Sequence, residues 1–409
     1  MKYRMKTLFI TTYYTKRLFL WVFLPAFIFI VGCSSVPMAS KNWPQKVLKT
    51  LSLREKIAQM MIYRMHLKYK DVTPEKWKEI TRLLDGDGIG GIHLWSGDGS
   101  SSIAIMNEIQ KRSRIPIIFD ADIERGFGQR FPSGTDFPPM MAITATGNPE
   151  NAYEVGKIVA TESRAAGIHW NLSPVVDVNN NPLNPIINTR SFSEDADIVS
   201  AFSKKYTRGL QDHGMIATAK HFPGHGDTQT DSHSSLAMIP SDSTRLWSLE
   251  LKPFATMADA GVDVVMVAHV HAPDYQPEAD DPATLSPFWV TDVLKGRLGF
   301  DGAIITDGMG MGGITKNYSD EYAIVKAVQA GCHIIIQNYD MVGSIDAIEN
   351  AVLDGEISEQ QINSSALKML ELKHKVGLNL NPYIGLDLMI RNISTKGNRE
   401  TSNRIASEA

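Results

Sequence analysis

The sequence has 409 residues, of which 43% are hydrophobic and 21% are charged, and this length suits one large α/β barrel or two to three smaller domains. A formal net charge of −4 argues against a nucleic-acid partner, because nucleic-acid-binding surfaces are strongly basic. The only cysteines are Cys33 and Cys332, so a disulfide framework and a cysteine-based zinc cluster are both excluded.

The N-terminal segment predicts export. Basic residues precede an apolar run at positions 18–32 that is short for a bilayer span, and a small residue stands before Cys33. The tetrapeptide IVGC at positions 30–33 resembles a bacterial lipobox, which implies removal of residues 1–32 as a signal peptide and lipidation of Cys33. We therefore expect an exported lipoprotein of the cell envelope, anchored to the membrane through Cys33 and followed by a linker over 33–44. An uncleaved transmembrane anchor is the alternative.

Eight short apolar segments with strand-forming residues alternate with helical patterns along the rest of the chain. Two helical patterns, residues 148–167 and 195–214, begin near Asn or Asp caps and end at Gly. Eight such units predict a (β/α)8 barrel of the TIM type, a single catalytic domain over residues 45–380, with a doubly wound open sheet as the alternative. The predicted strands are residues 58–63, 88–95, 115–122, 168–178, 215–222, 262–270, 302–309 and 332–338.

Polar residues stand where several of these apolar strands end. Active sites of (β/α)8 barrels lie at the carboxyl ends of the strands, so the pattern predicts a polar, enzyme-like cleft. Arg130 and Arg190 fall on the loops after the third and fourth strands, where they could bind sugar hydroxyls or a polar acyl group; structural ion pairs are the alternative. The strand-end residues are Asp122, Asp177, Lys220 with His221, His269, Asp307 and Asn338.

The segment AKHFPGHGDTQTDSH at positions 219–233 has an unusual density of titratable residues. His221 and His225 have the spacing of a helical zinc motif, but the intervening Phe-Pro-Gly disfavours a helix. Asp231 and His233 are two apart on a predicted loop, where their side chains can form a hydrogen bond. An imidazole oriented by a carboxylate is a usable proton donor near neutral pH; a solvated loop with a local Asp–His contact is the alternative.

Asp307 ends the seventh predicted strand, at the mouth of the barrel. A carboxylate there can be a nucleophile, a metal ligand or a structural hydrogen-bond acceptor. The following glycines imitate a dinucleotide-binding fingerprint, but their spacing does not fit it and no acidic ribose partner can be placed. They are Gly308, Gly310, Gly312 and Gly313.

Taken together, the segment at 219–233 and the strings SPVVDVNNNPLNPIINTRSF, GAIITDGMGM and TDFPPMMAITATGN resemble glycoside hydrolase family 3, most closely its β-N-acetylhexosaminidase branch. The resemblance runs from about residue 45 to 380. It implies that Asp307 is the nucleophile and that His233 is the general acid/base, oriented by Asp231. It also implies that sugar hydroxyls and the N-acetyl group are held by Asp122, Arg130, Arg190, Lys220 and His221.

The expected activity is therefore an exo-acting, retaining β-N-acetylhexosaminidase without metal or organic cofactor. It would release terminal β-linked N-acetylglucosamine from peptidoglycan fragments or chitooligosaccharides through a covalent glycosyl-enzyme intermediate. The alternatives are a β-glucosidase or β-xylosidase of the same family, a metal-dependent hydrolase using His221, His225 and His233, and a non-catalytic glycan-binding lipoprotein. Because a neutral imidazole repels an anionic acceptor less than a carboxylate does, phosphorolysis stays open. The sequence leaves the oligomeric state open.

Two features depart from the family pattern. Arg125 stands where Gly is usual in the segment DADIERGFGQR, which leaves the geometry of that loop open. The C-terminal segment 381–409 resembles a truncated linker that leads to a second domain in longer relatives. Its last fifteen or so residues are expected to lack a packing partner.

Overall fold

Eight parallel strands form a closed barrel within the residues that the computed structural model describes, which are 42–240, 243–276, 281–337 and 340–409. The predicted signal peptide, the lipidation site Cys33 and the strand-end residue Asn338 lie outside these ranges. The strands are β1 (Met61–Leu67), β2 (Gly91–Gly97), β3 (Ile118–Ala121), β4 (Trp170–Asn171), β5 (Ile216–Phe222), β6 (Ala237–Met238), β7 (Val264–Val267), β8 (Val270–His271), β9 (Ala303–Thr306) and β10 (Ile335–Gln337).

The order of strands around the barrel is β10-β1-β2-β3-β4-β5-β7-β9. Met61 of β1 lies opposite Ile335 of β10, and an isolated parallel bridge joins Ile305 of β9 to Ile334, so the ring is closed. Strands β6 and β8 form a separate parallel pair. The predicted (β/α)8 architecture is confirmed.

Helices surround the barrel and supply its outer layer. The helices predicted over residues 148–167 and 195–214 are present as α6 (Pro149–Ala165) and α7 (Ala196–Asp212). The side chains of Asn148 and Asp195 accept hydrogen bonds from backbone N–H groups in the first turn of these helices. The helices are α1 (Trp43–Leu48), α2 (Leu53–Gln59), α3 (Pro74–Asp85), α4 (Ser100–Arg112), α5 (Met140–Ala145), α6 (Pro149–Ala165), α7 (Ala196–Asp212), α8 (Ser243–Ser248), α9 (Lys252–Asp259), a π-helix (Phe288–Arg297), α10 (Gly312–Thr315), α11 (Asp320–Ala330), α12 (Met341–Leu353), α13 (Glu359–Lys375), α14 (Leu386–Asn392) and α15 (Lys396–Glu408). In the part of the chain described, none of these helices has the length and hydrophobicity to cross a membrane.

Two predicted strands have different bounds in the structure. The strand expected over 58–63 starts at Met61, because the helix that begins with the Ser52 capping box continues to Gln59. The strand expected over 168–178 is reduced to Trp170–Asn171, although Val176 still donates a backbone hydrogen bond to Lys220 of β5. Pro174 interrupts this segment and has no N–H to donate.

The barrel interior is filled with apolar side chains at its amino-terminal end. Ile62, Trp170 and Ile305 are among the fully buried side chains of the interior cluster, and Met369 and Leu372 of α13 join it. The larger apolar cluster lies between the strands and the surrounding helices. This packing leaves room for a cleft at the carboxyl ends of the strands, where the sequence predicts the site.

The C-terminal segment packs on the rest of the chain, so the expectation that its last residues lack a packing partner is wrong. Ile405 of α15 is fully buried. Asn398 donates a hydrogen bond to the buried Glu162 of α6, and Arg404 donates one to Asn151. The apolar side of α15 and these polar contacts are the packing interactions that the sequence pattern did not indicate. The interpretation of residues 381–409 as a truncated linker stays a prediction.

Candidate active site

A cavity of about 360 Å³ lies at the carboxyl ends of the barrel strands. A pocket of this size at this face of the barrel is the usual place for a substrate site. The structure brings seven of the predicted site residues together around it; the lining includes Asp122, Arg130, Arg190, Lys220, His221, His233 and Asp307. Asp231 is not part of the lining and contacts the cavity only through His233.

Asp307 follows strand β9 directly and is partly buried. Its backbone N–H donates to the carbonyl of Val267, which continues the pairing with β7, and its Oδ1 accepts a hydrogen bond of 2.7 Å from the N–H of Gly308. Oδ2 has no hydrogen-bond partner among the residues that the structure describes. The carboxylate is thus fixed through one oxygen and can present the other to a ligand.

The electrostatic surroundings of Asp307 favour its ionised form. Burial alone would raise the pKa of Asp307, but the His269 and His221 imidazoles and the Gly308 N–H outweigh burial and lower it. His269 is itself held in place, with Nδ1 2.9 Å from Thr284 Oγ1 and Nε2 3.0 Å from the carbonyl oxygen of Gly308. An ionised carboxylate is the form that a nucleophile needs.

The hydrogen bond expected between Asp231 and His233 is present. It lies on the loop after β5, residues 223–236, which we call the β5 loop. His233 Nδ1 lies 2.7 Å from Asp231 Oδ1, which also accepts a hydrogen bond from the His233 backbone N–H. Burial opposes ionisation of Asp231, but these two hydrogen bonds lower the pKa of its carboxyl group. Because Nδ1 is engaged, Nε2 is the nitrogen of His233 available to a ligand.

A buried ionic cluster forms the floor of the cavity on the β3 and β5 side. Lys220 Nζ lies 2.6 Å from Asp122 Oδ1 and 2.9 Å from Glu124 Oε1. Glu124 in turn accepts two hydrogen bonds from the guanidinium of Arg190, at 2.7 and 3.0 Å. Arg190 therefore forms the ion pair that the sequence left as the alternative, and it also lines the cavity. Its part in binding the sugar stays a prediction.

The charges of this cluster stabilise one another. Burial would raise the pKa values of Asp122 and Glu124, but Lys220 is the strongest of the opposing influences and lowers both. Burial would lower the pKa of Lys220, and the two carboxylates raise it instead. The cluster stays charged at neutral pH and offers fixed donors and acceptors to a polyhydroxylated ligand.

Aromatic and arginine side chains form another wall of the cavity. The guanidinium of Arg64 lies 3.9 Å from the ring centre of Trp95, and that of Arg130 lies 4.4 Å from it. Arg130 Nε also donates to the backbone carbonyl of Asp122 at 3.0 Å. Arg125, at the position where the resemblance implies Gly, lines the cavity and donates to the carbonyl of Phe137.

His221 and His225 are bound to protein groups rather than arranged around a shared centre. His221 Nδ1 lies 2.6 Å from Asp177 Oδ2, while His225 has Nδ1 2.5 Å from Thr228 Oγ1 and Nε2 2.9 Å from Ser232 Oγ. Within the described residues, no three His, Cys, Asp or Glu side chains are placed to hold a metal ion. Since both nitrogens of His225 are occupied, the three-histidine alternative lacks its donor set.

Several residues of the site were not assigned a role from the sequence. Glu124 forms ion pairs with Arg190 and Lys220, and Asp177 orients His221. His93 lines the cavity, with Nδ1 2.5 Å from the fully buried Asp120 and Nε2 3.6 Å from Asp122. Glu124 lies inside a segment that the sequence analysis singled out, and Asp177 was recognised as a strand end, so the signal was present for both.

Comparison with known proteins agrees with this geometry. The sequence profile described as "Glycosyl hydrolase family 3 N terminal domain" matches residues 52–372. A "Beta-N-acetylglucosaminidase/beta-glucosidase" of Cellulomonas fimi is 30% identical over 347 residues, which cover 82% of this chain and 60% of that relative. A "Beta-hexosaminidase" of Stenotrophomonas maltophilia is 35% identical over 263 residues, which cover 62% of this chain and 77% of the relative.

A solved structure gives the same result for the fold. The "glycoside hydrolase family 3 beta-N-acetylglucosaminidase" of Paenibacillus sp. str. FPU-7 superimposes with a TM-score of 0.80 at 34% identity, covering 88% of this chain and 69% of that chain. The present chain thus spans about three fifths of the length of the Cellulomonas relative.

Proposed function

The chain belongs to glycosyl hydrolase family 3, and we propose that it is an exo-acting, retaining β-N-acetylhexosaminidase. The observation that carries the proposal is that Asp307 and the Asp231-bound imidazole of His233 face one cavity whose floor is a charged cluster suited to sugar hydroxyls. The names of the relatives support the hexosaminidase branch. Peptidoglycan fragments or chitooligosaccharides are the proposed source of the terminal N-acetylglucosamine.

In the first step, Asp307 Oδ2 attacks the anomeric carbon while Nε2 of protonated His233 gives its proton to the glycosidic oxygen. The bond from C1 to the aglycone oxygen breaks as the C1–Oδ2 bond forms, so the aglycone leaves as a neutral alcohol. Asp231 keeps the imidazole oriented through its contact with Nδ1. The Gly308 N–H bond to Oδ1 holds the nucleophile in place during the attack.

In the second step, neutral His233 takes a proton from a water molecule whose oxygen attacks C1. The bond between C1 and Asp307 breaks, and the carboxylate is restored. Two displacements at the same carbon return the β-configuration. Asp122 and Lys220 would accept from and donate to the sugar hydroxyls throughout, because their ion pair fixes both groups.

The configuration of the first product tests this proposal. Proton NMR of an N-acetylglucosaminide digest is expected to show the β-anomer before mutarotation. An α-anomer as first product would exclude the double displacement and with it the role of Asp307. Repeating the digest in phosphate buffer separates hydrolysis from phosphorolysis, which would yield a sugar phosphate instead of the free sugar.

A β-glucosidase is the second candidate, because the name of the Cellulomonas fimi relative includes that activity. A panel of nitrophenyl N-acetylglucosaminide, glucoside and xyloside separates the two. We expect the largest kcat/KM for the N-acetylglucosaminide. A larger value for the glucoside would assign the chain to the second candidate.

We propose further that the protein is a lipoprotein of the cell envelope, anchored through a lipid on Cys33. The proposal rests on the order of basic residues, short apolar run and IVGC tetrapeptide at the N-terminus. In a bacterial host, Cys33→Ser is expected to abolish labelling by a radioactive fatty acid and move the enzyme out of the membrane fraction. Unchanged labelling would exclude Cys33 as the acylated residue.

A further inference from the structure

Gly312 and Gly313, which did not fit a nucleotide-binding pattern, contact the loop that carries the proposed acid/base. The N–H of Gly312 donates to the carbonyl of His233 at 3.0 Å, and the N–H of Gly313 donates to the carbonyl of Ser232 at 3.0 Å. Both glycines are the first residues of α10. We call residues 307–313, which run from Asp307 into the first turn of α10, the β9 loop. The segments that carry the two proposed reacting groups are therefore joined directly by backbone hydrogen bonds.

The closeness of this contact explains why the donors are glycines. A Cβ on Gly312 would lie 2.5 Å from the carbonyl oxygen of Ser234 and 2.8 Å from that of His233. A Cβ on Gly313 would lie 3.0 Å from Cβ of His269 and 3.1 Å from the carbonyl oxygen of Ser232. Neither glycine is among the residues with positive φ, so their small size rather than their backbone conformation is what the site uses.

A second contact fixes the same turn from its other side. Ser232, between Asp231 and His233, is buried, and its Oγ lies 2.9 Å from Nε2 of His225. Burial lowers the pKa of His225 to about 4, so this imidazole is neutral at physiological pH and serves as a fixed hydrogen-bonding group. The side chain of His233 is by contrast 57% exposed.

We propose that Gly312, Gly313 and Ser232 are positioning residues that dock the Asp231–Ser232–His233 turn onto the β9 loop and so hold the acid/base in register with Asp307. This inference rests on the proposed roles of Asp307 and His233. A displacement of about 1 Å can cost on the order of 10²-fold in rate, and a methyl group at position 312 requires a shift of that order. The position of the His233 imidazole affects the donation of its proton to the leaving group. Attack by the Asp307 carboxylate does not depend on that position.

The test compares two aryl N-acetylglucosaminides that differ only in the leaving group. For Gly312→Ala, we expect kcat/KM to fall about 10²-fold with the phenyl glycoside, which needs a proton, and by less than about threefold with the dinitrophenyl glycoside, which does not. The phenyl glycoside should show the loss in kcat rather than in KM. Gly397→Ala is the matched control, because a Cβ at this exposed position meets nothing within 4 Å, and it should behave as the wild type.

Ser232→Ala provides an independent measurement if Gly312→Ala does not fold. It removes only the hydrogen bond between Ser232 Oγ and Nε2 of His225 and should show the same dependence on the leaving group at smaller magnitude. Equal losses with both glycosides, or no loss in either variant, would overturn the docking proposal. His233→Ala in the same assay separates the two hypotheses: if it shows the leaving-group dependence and the docking variants do not, the proposed function stands and the docking role fails.

Discussion

Asp307→Asn is expected to lower kcat by at least about 10³-fold with every glycoside, because the loss of a nucleophile cannot be compensated by the leaving group. Asn retains the shape of the side chain and an oxygen that can accept from the Gly308 N–H. It lacks the negative charge that His269, His221 and the Gly308 N–H stabilise in the native site. The variant should therefore fold and bind substrate but form no covalent intermediate.

The measurement combines kinetics with mass spectrometry. A fluorinated N-acetylglucosaminide with a good leaving group should label the wild type on the peptide that contains Asp307 and leave Asp307→Asn unlabelled. Asp301→Asn is the control, since Asp301 is exposed at the start of the segment that leads to β9. Activity of Asp307→Asn within about tenfold of the wild type, with no return of Asp by deamidation, would remove this carboxylate from the mechanism.

The barrel could be predicted because each of its strand–helix units has its own local sequence pattern. The helices α6 and α7 carry an amphipathic pattern with Asn148 and Asp195 at their caps, and these signals act within a few residues. The strand bounds were harder to predict where two tendencies compete. In the segment 168–178, the apolar pattern continues past Asn171, but Pro174 removes a backbone donor, and the pairing with β5 continues only as an isolated bridge between Val175 and Lys220.

The site could be predicted in part for a related reason. The closed parallel barrel brings every strand end to one face, so Asp122, Lys220 and Asp307 meet although they are far apart in the chain. The Asp231–His233 pair was accessible because its partners are two residues apart. Once the barrel fold is known, the positions of these residues in the sequence are enough to place them at one face.

The remaining residues of the site depend on pairings that no local pattern shows. Arg190 and Glu124 are 66 positions apart, and Lys220 and Asp122 are 98 apart. A carboxylate such as Glu124 becomes recognisable only when the two cations that surround it are known. The same holds for Gly312, whose small size is needed by a loop almost eighty residues earlier in the sequence.

His233→Ala is expected to separate the two halves of the reaction. With the phenyl N-acetylglucosaminide, kcat/KM should fall about 10²- to 10⁴-fold, because the departing phenolate needs the proton that Nε2 supplies. With the dinitrophenyl glycoside, kcat/KM should change by less than about tenfold, since this leaving group departs unprotonated. Asp307 is untouched in the variant, so the first displacement remains available to activated substrates.

The second displacement should nevertheless be slowed, because the variant also lacks the base that activates water. The dinitrophenyl glycoside is therefore expected to give a rapid burst of dinitrophenolate, equal to the enzyme concentration, followed by a slow steady state. His213→Ala is the control, since His213 stands at the C-cap of α7, outside the cavity lining, where its Nδ1 contacts the carbonyl of Gly209. If His233→Ala slowed both glycosides equally and gave no burst, the proton donor would have to be sought among the other groups that line the cavity, of which His93 and His221 are the remaining imidazoles.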